Sequence, residues 1–163
     1  MNNTGPAAMT QPEIDAFLGG TPRYCAFGSL RRDGSPSVIP VGFLYEGGAI
    51  NLTFRPDHAA IRRVRRDPRV SVTVFNDHFP VQFVLVNGLA EVREDPGLEF
   101  SIRKHRWIMQ LAEDWLDQDA FERNHFEPGR VVVRIPVAPG NVMTSDMTKI
   151  PLPVAPGRHR PGW

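Results

Sequence analysis

The chain has 163 residues, enough for one domain with its own apolar core. Hydrophobic residues make up 41% and charged residues 23%, and no apolar run is long enough to cross a bilayer as a helix, so composition points to a soluble globular protein and away from a membrane one. A formal net charge of +1 argues against a general nucleic-acid surface. Cys25, the single cysteine, excludes an internal disulfide and suits a reducing, cytoplasmic setting.

Residues 1–9 carry neither the basic start nor the apolar stretch of a secretory signal and read as a disordered N-terminus. Thr10-Gln11-Pro12-Glu13 has capping-box spacing. Ile14, Phe17 and Leu18 follow at helical intervals, which predicts a short helix over 11–18 closed by Gly19-Gly20. A strand over 23–30 comes next, then a hairpin turn at Asp33-Gly34 and a second, almost wholly apolar strand over 37–45. Pro40 lies inside that strand, so Pro40-Val41-Gly42 predicts a bulged, bent stretch that something approaches closely, or else a plain barrel corner.

Gly47-Gly48 forms a second turn before a third strand over 49–54, and Asp57 is the expected N-cap of a short helix that ends before Asp67-Pro68. Val70, Val72 and Val74 alternate with polar residues over 69–76. A long strand over 81–93 follows, with a bulge expected at Asn87-Gly88. Phe100, Ile102, Trp107, Ile108, Leu111, Trp115 and Leu116 recur at helical spacing and predict one helix or a helical pair within 96–126. A buried strand over 130–137 closes the domain, and 138–163 reads as a Pro/Gly-rich tail. Hairpin-linked strands without βαβ alternation give a mainly β class with some α: a six-stranded antiparallel closed or split barrel with flanking helices, spanning 10–137.

Familiar catalytic signatures are missing: there is no CxxC, HExxH or GxSxG, and the five histidines lie at spacings unlike a zinc site. Cys25, in an apolar strand, reads as a buried, inert thiol. One segment offers chemistry. Thr53 ends a strand, and a helix begins a few residues later. A helix start carries unpaired N–H groups and partial positive charge, Thr53 a hydroxyl, and Arg55 with Arg62 or Arg63 forked donors that match phosphate. The same arginines read equally as a solvated face paired with Asp57 and Asp67. A six-stranded barrel is filled by its own side chains, so a sizeable ligand must lie outside it, where a second subunit can cover it.

The run RRDGSPSVIPVGFLYEGGAINLTF, then HAAIRRVRRDPRVSVTVF, then FVLVNGLAEVREDP, resembles the pyridoxamine 5′-phosphate oxidase-like split barrels. It is most similar to their flavin- and deazaflavin-dependent oxidoreductases, across roughly 21–137. The resemblance implies a split barrel and a homodimer with a cofactor at each interface site. That cofactor is coenzyme F-420 (a deazaflavin) or FMN, and the activity is hydride transfer to a small conjugated substrate. It implies a cofactor phosphate held by Thr53, Arg62 and Arg63, with Arg55 as a further contact, and a ring along Pro40, Val41, Gly42 and Phe43. Phe79, Gln82 and the tail become candidates for covering the ring from the partner. Many relatives carry a Lys where this chain has Ala60, so Arg55 or His58 is the candidate replacement. No acid or base residue is singled out. The alternative is a non-catalytic dimer that binds or sequesters a flavin or tetrapyrrole.

Overall fold

The computed structural model describes residues 3–20, 24–110 and 129–151. In chain order the elements are α1 (Gln11–Gly19), β1 (Tyr24–Leu30), β2 (Pro36–Glu46), β3 (Ala49–Phe54), α2 (Ala59–Arg66), β4 (Arg69–Phe75), β5 (Gln82–Leu89), β6 (Glu91–Asp95), α3 (Glu99–Met109), β7 (Arg130–Pro136) and β8 (Val142–Asp146), followed by a 3-10 turn over Met147–Lys149. The described strands form one eight-stranded antiparallel sheet in the order β6-β7-β3-β2-β1-β4-β5-β8. Two strands more than expected are present. One arises because the predicted 81–93 strand is two strands, and the other is β8, inside the segment read as tail.

A single residue, Ala90, separates β5 from β6, yet those strands stand near opposite ends of the sheet order. The sheet must therefore curl until its two ends meet, which makes the split barrel. Ala90 N–H donates to Pro68 O at that joint. The expected bulge at Asn87-Gly88 is not there: β4 and β5 pair in unbroken register through Ser71↔Asn87 and Val70↔Gly88. The strand changes partners two residues later instead.

β2 makes the second corner. Its first part pairs with β1 without an inserted residue, from Leu30↔Pro36 to Tyr24↔Gly42, and its second part pairs with β3 from Phe43↔Leu52 onward. Of the two readings of Pro40-Val41-Gly42, the barrel corner holds and the bulge does not. Pro40 sits where β2 pairs on one side only, an edge-like position that tolerates a missing N–H.

Alternation sets the two faces. Cys25, Phe27 and Ser29 of β1, Val70, Val72 and Val74 of β4, and Val84 and Val86 of β5 point inward and are buried. With Phe43, Ile50, Leu52, Val131, Val133 and Ile135 they fill the barrel. Amphipathic helices close it: α1 buries Ile14, Phe17 and Leu18, and α2 buries Ala60, Ile61 and Val64 while its arginines stay outside. Full burial of Ile61 or Val64 contributes about 1.5–3 kcal/mol each. The start of α1 is fixed by Thr10, whose N–H and hydroxyl both donate to Glu13 Oε2 at 2.7 and 2.8 Å.

The segment after residue 137 is partly built into the barrel. β8 pairs with β5, and its other flank is tied to the N-terminal segment: Met9 N–H donates to Thr144 Oγ1 and Asp146 N–H to Ala7 O. The predicted helical continuation through 126, with Trp115 and Leu116, and the chain beyond 151 lie outside the described residues. Among the described residues no helix is long and apolar enough to cross a membrane.

Candidate functional site

The strip begins on the outward face of the sheet. Val38 of β2 is 63% exposed and Pro40 is exposed, while beside them Gly28 and Ala26 of β1 and Ser71 and Thr73 of β4 present small side chains. A shallow apolar groove of about 240 Å³, lined by Gly28, Leu30, Pro36, Val38 and Ser71 among others, lies there. Farther out Tyr24, Phe75 and Leu89 are also more than half exposed. Several large exposed apolar side chains thus share this outward face.

Along β2 the strip passes under α3. A Cβ built on Gly42 would stand 2.2 Å from Ile108 Cδ1, so any larger residue here would force the Ile108 side chain to shift. Lys104, one turn earlier, donates from Nζ to Gly42 O at 3.3 Å and is 4% exposed. Val41 is half-buried, and its carbonyl accepts from Cys25 Sγ at 3.3 Å. Burial pushes the Cys25 thiol up to about 12, which leaves it protonated and unreactive at neutral pH. Phe43, one of the four β2 residues expected to carry the ring, is 1% exposed in the barrel core, so its side chain is unavailable to a ligand and only its backbone remains.

Thr53 lies beyond Gly42 on the same outer face, 7% exposed, and its Oγ1 is buried with no hydrogen-bond partner. Buried hydroxyls are rarely left so, which makes Thr53 Oγ1 a polar group still open to a partner. The helix start beside it differs from expectation. Asp57 is not the N-cap, because its carboxylate pairs with Arg55 at 3.2 Å. His58 caps instead: its Nδ1 accepts Ala60 N–H at 3.1 Å, and its ring stacks on Phe54 with centroids 5.0 Å apart. Partial burial and the neighbouring Arg63 lower the His58 pKa, which keeps the ring neutral and able to accept that bond. The N–H that an anion would use there is thus already taken.

The arginines are divided. Arg62 donates to Asp57 O, while Arg63 turns back and donates from Nε to the buried Ser29 hydroxyl at 2.9 Å. Burial, and then Arg31, Arg62 and Arg66, lower the Arg63 pKa. Arg55 is half exposed and faces Arg130, whose own pKa burial and Arg55 depress. Phe79 is 54% exposed on the 76–81 loop, and Gln82 opens β5 with its N–H on Asn76 Oδ1. Both stand at one end of the β4–β5 hairpin, outside the Thr53 neighbourhood of this chain. Tyr45 donates its hydroxyl to Asp15 and holds α1.

Lys104 was not anticipated. The apolar spacing of 96–126 suggested an aromatic face, yet the residues α3 buries are Ser101 and Lys104. The start of α3 is held by Asp95, whose Oδ2 accepts both Ser101 N–H at 2.9 Å and Ser101 Oγ–H at 2.6 Å. A signal was available: Lys104 is one of only two lysines beside 17 arginines, and it stands four residues from both Phe100 and Ile108. Among the described residues no three His, Cys, Asp or Glu side chains gather to hold a metal.

The sequence profile described as pyridoxamine 5′-phosphate oxidase matches residues 10–138. No curated protein matches the chain. Among solved structures, the conserved protein Rv2991 of Mycobacterium tuberculosis is similar over 96% of this chain and 98% of its own, with TM-score 0.75 and 22% identity. An F-420 reductase is similar over 78% and 94%, with TM-score 0.60 and 21% identity. A FAD-binding protein of Mesorhizobium loti is similar over 82% and 90%, with TM-score 0.56 and 22% identity. Such likenesses speak to the fold, and the profile match over most of the chain goes further: this chain belongs to the pyridoxamine 5′-phosphate oxidase family.

Proposed function

We propose that the protein is a flavin- or deazaflavin-dependent oxidoreductase acting as a homodimer, with one cofactor in each seam between the copies. The observation that carries the reading is the buried Thr53 hydroxyl without a partner, on the same outer face as the exposed strip of Val38 and Pro40. Hydroxyl and strip suit the two ends of one ligand, a phosphate and a flat ring. Family membership supports the cofactor class, and the F-420 reductase and FAD-binding folds support it further.

When bound, the cofactor supplies hydride chemistry to a small conjugated substrate. The chain's own contribution is positional. Outward Val38 and Pro40 give the ring an apolar floor, the small residues at Ala26 and Gly28 let a second copy approach, and Thr53 takes the phosphate with Arg55 and Arg62 at its rim. Phe79 and Gln82 of the partner serve as cover. Deazaflavin is favoured over FMN on the resemblance of the RRDPRV helix end.

The test is titration of purified protein with FMN and with coenzyme F-420, followed by fluorescence. Saturable binding of one of them is expected, at one site per chain. Reduced cofactor held by the protein should then pass its hydride to a quinone acceptor faster than free cofactor does. Binding without that acceleration would favour a sequestering dimer, and no binding of either compound refutes the reading.

A further inference from the structure

Two buried polar groups on one face of the barrel lack what they need. Lys104 is 4% exposed, and its one hydrogen bond is to the neutral carbonyl of Gly42, at a long 3.3 Å. No carboxylate among the described residues pairs with it. An ammonium has three N–H groups, one of which is used among the described residues, and a buried charge without a counter-charge is costly. Thr53 is 7% exposed with Oγ1 unpartnered.

The register brings the two together. Phe43 pairs with Leu52 in the last rung of β2 with β3, so Gly42 and Thr53 each stand one residue beyond that rung on adjacent strands. The lysine bonded to Gly42 therefore lies over the strand pair that carries the orphan hydroxyl. Phe54 pairs with Val131 in the last rung of β3 with β7, and Arg55 and Arg130 each stand one residue beyond it. Burial and then Arg130 hold the Lys104 ammonium down to about 8, so Arg130 is close enough to act on it. Arg55 acts in turn on Arg130, with Asp57 offsetting part of that. Positive charge from α3, β7 and the residue after β3 thus gathers at this end of β3.

We propose that Lys104 and Thr53 form the anion subsite of this protein, taking the oxygens of a phosphate monoester, with Arg130 reinforcing the potential. The assignment rests on the cofactor reading above in one respect: the phosphate it expects is the cofactor's. It moves the principal cation from α2, where His58 fills the helix start and Arg63 is tied to Ser29, to α3. It also gives α3 a task, since Asp95 and Ser101 hold one end of the helix and Ile108 seats the other on Gly42.

The experiment compares FMN with riboflavin, which lacks the phosphate, in the wild type, Lys104→Met, Lys104→Arg and the control Arg62→Ala/Arg63→Ala. Wild type should prefer FMN. Lys104→Met should lose roughly tenfold to a hundredfold of that preference while its riboflavin affinity stays put, and Lys104→Arg should keep most of it. Circular dichroism checks the fold, and Lys104→Gln replaces the methionine variant if that one misfolds. Full FMN preference in the neutral variants, or its loss only in the double arginine variant, overturns the proposal. If neither flavin binds the wild type, the cofactor reading itself has failed only if coenzyme F-420 does not bind either, and inorganic phosphate decides the subsite. A melting temperature raised by phosphate in wild type but not in the neutral Lys104 variant supports it, whereas an equal response or none overturns it.

Discussion

Replacing Thr53 with valine separates a structural role from a ligand role by the sign of two effects. The side chains are nearly the same size, so packing against β7 changes little. In the protein without ligand, Thr53 Oγ1 is buried with no partner, and leaving a buried hydroxyl unsatisfied costs about 1–3 kcal/mol. Thr53→Val removes that penalty. At the lower end of the range the variant should melt about 2–4 °C higher than wild type. A hydrogen bond from the hydroxyl to a charged phosphate is worth about 1.5–3 kcal/mol, so the same change should weaken FMN roughly tenfold to a hundredfold. Thermal melts and fluorescence titration read the pair. A purely structural threonine would give a neutral or lower melting temperature with unchanged affinity, and that pair of results would refute the argument.

Ala26→Arg places a guanidinium at the centre of the outward face, between Pro40 and Thr73, where a single chain has room for it; light scattering should show monomer in place of dimer, and a dimer of wild-type strength would exclude this face as the seam. Gly42→Ala should cost about 1–3 kcal/mol because its methyl meets Ile108, and Ile108→Ala in the same chain should recover much of it in a denaturation cycle; additive losses would show that the two do not touch. Glu13 is held at about 2 against an ordinary 4.5, first by the hydrogen bond from Lys149 and then by the Thr10 backbone. A carboxyl with depressed pKa stabilises the fold above 4.5, and that contribution is lost as pH falls toward 2, so Glu13→Gln should flatten the acid limb of melting temperature against pH, and identical acid limbs would count against the bridge.

The legible part of the fold was whatever periodicity and turn chemistry determine locally. Val70, Val72 and Val74 announce β4 and its buried face, Asp33-Gly34 and Gly47-Gly48 the β1–β2 and β2–β3 hairpins, and Thr10 to Glu13 the start of α1. What local pattern cannot show is a change of partner. The chain from Val81 to Arg93 alternates without interruption, and nothing in it marks Ala90 as the place where one side of the barrel gives way to the other, because the cause is closure of the whole sheet. β8 was hidden for a related reason. A five-residue strand among prolines and glycines is specified by β5 on one flank and by the Asn3–Met9 segment on the other, both far away in sequence. In the candidate site, Thr53 could be read from its place at a strand end. The competition between His58 and Asp57 for the cap could not, since it turns on the Phe54 ring beneath His58 and on Arg55 drawing Asp57 away.

Lys104 is buried by the protein itself, among described residues that offer it a carbonyl and no counter-charge. The apolar residues of α3 depart from the rule that a helix presents its apolar stripe inward: Trp107 and Ile102 remain half-buried while the lysine is nearly covered. A helix whose only task was to shield the sheet would do better with methionine at that position, which needs no partner and loses no hydration. Retaining a cation there, over Gly42 and next to a hydroxyl with nothing to bond, makes sense if the surface below is completed by an anion. The strip from Val38 to Thr53 is then one continuous surface that changes character along its length. It is apolar and open where the sheet faces out, glycine-thin where α3 crosses, and polar and positive where α3 covers it. A ligand flat at one end and anionic at the other is the shape that matches that order of properties.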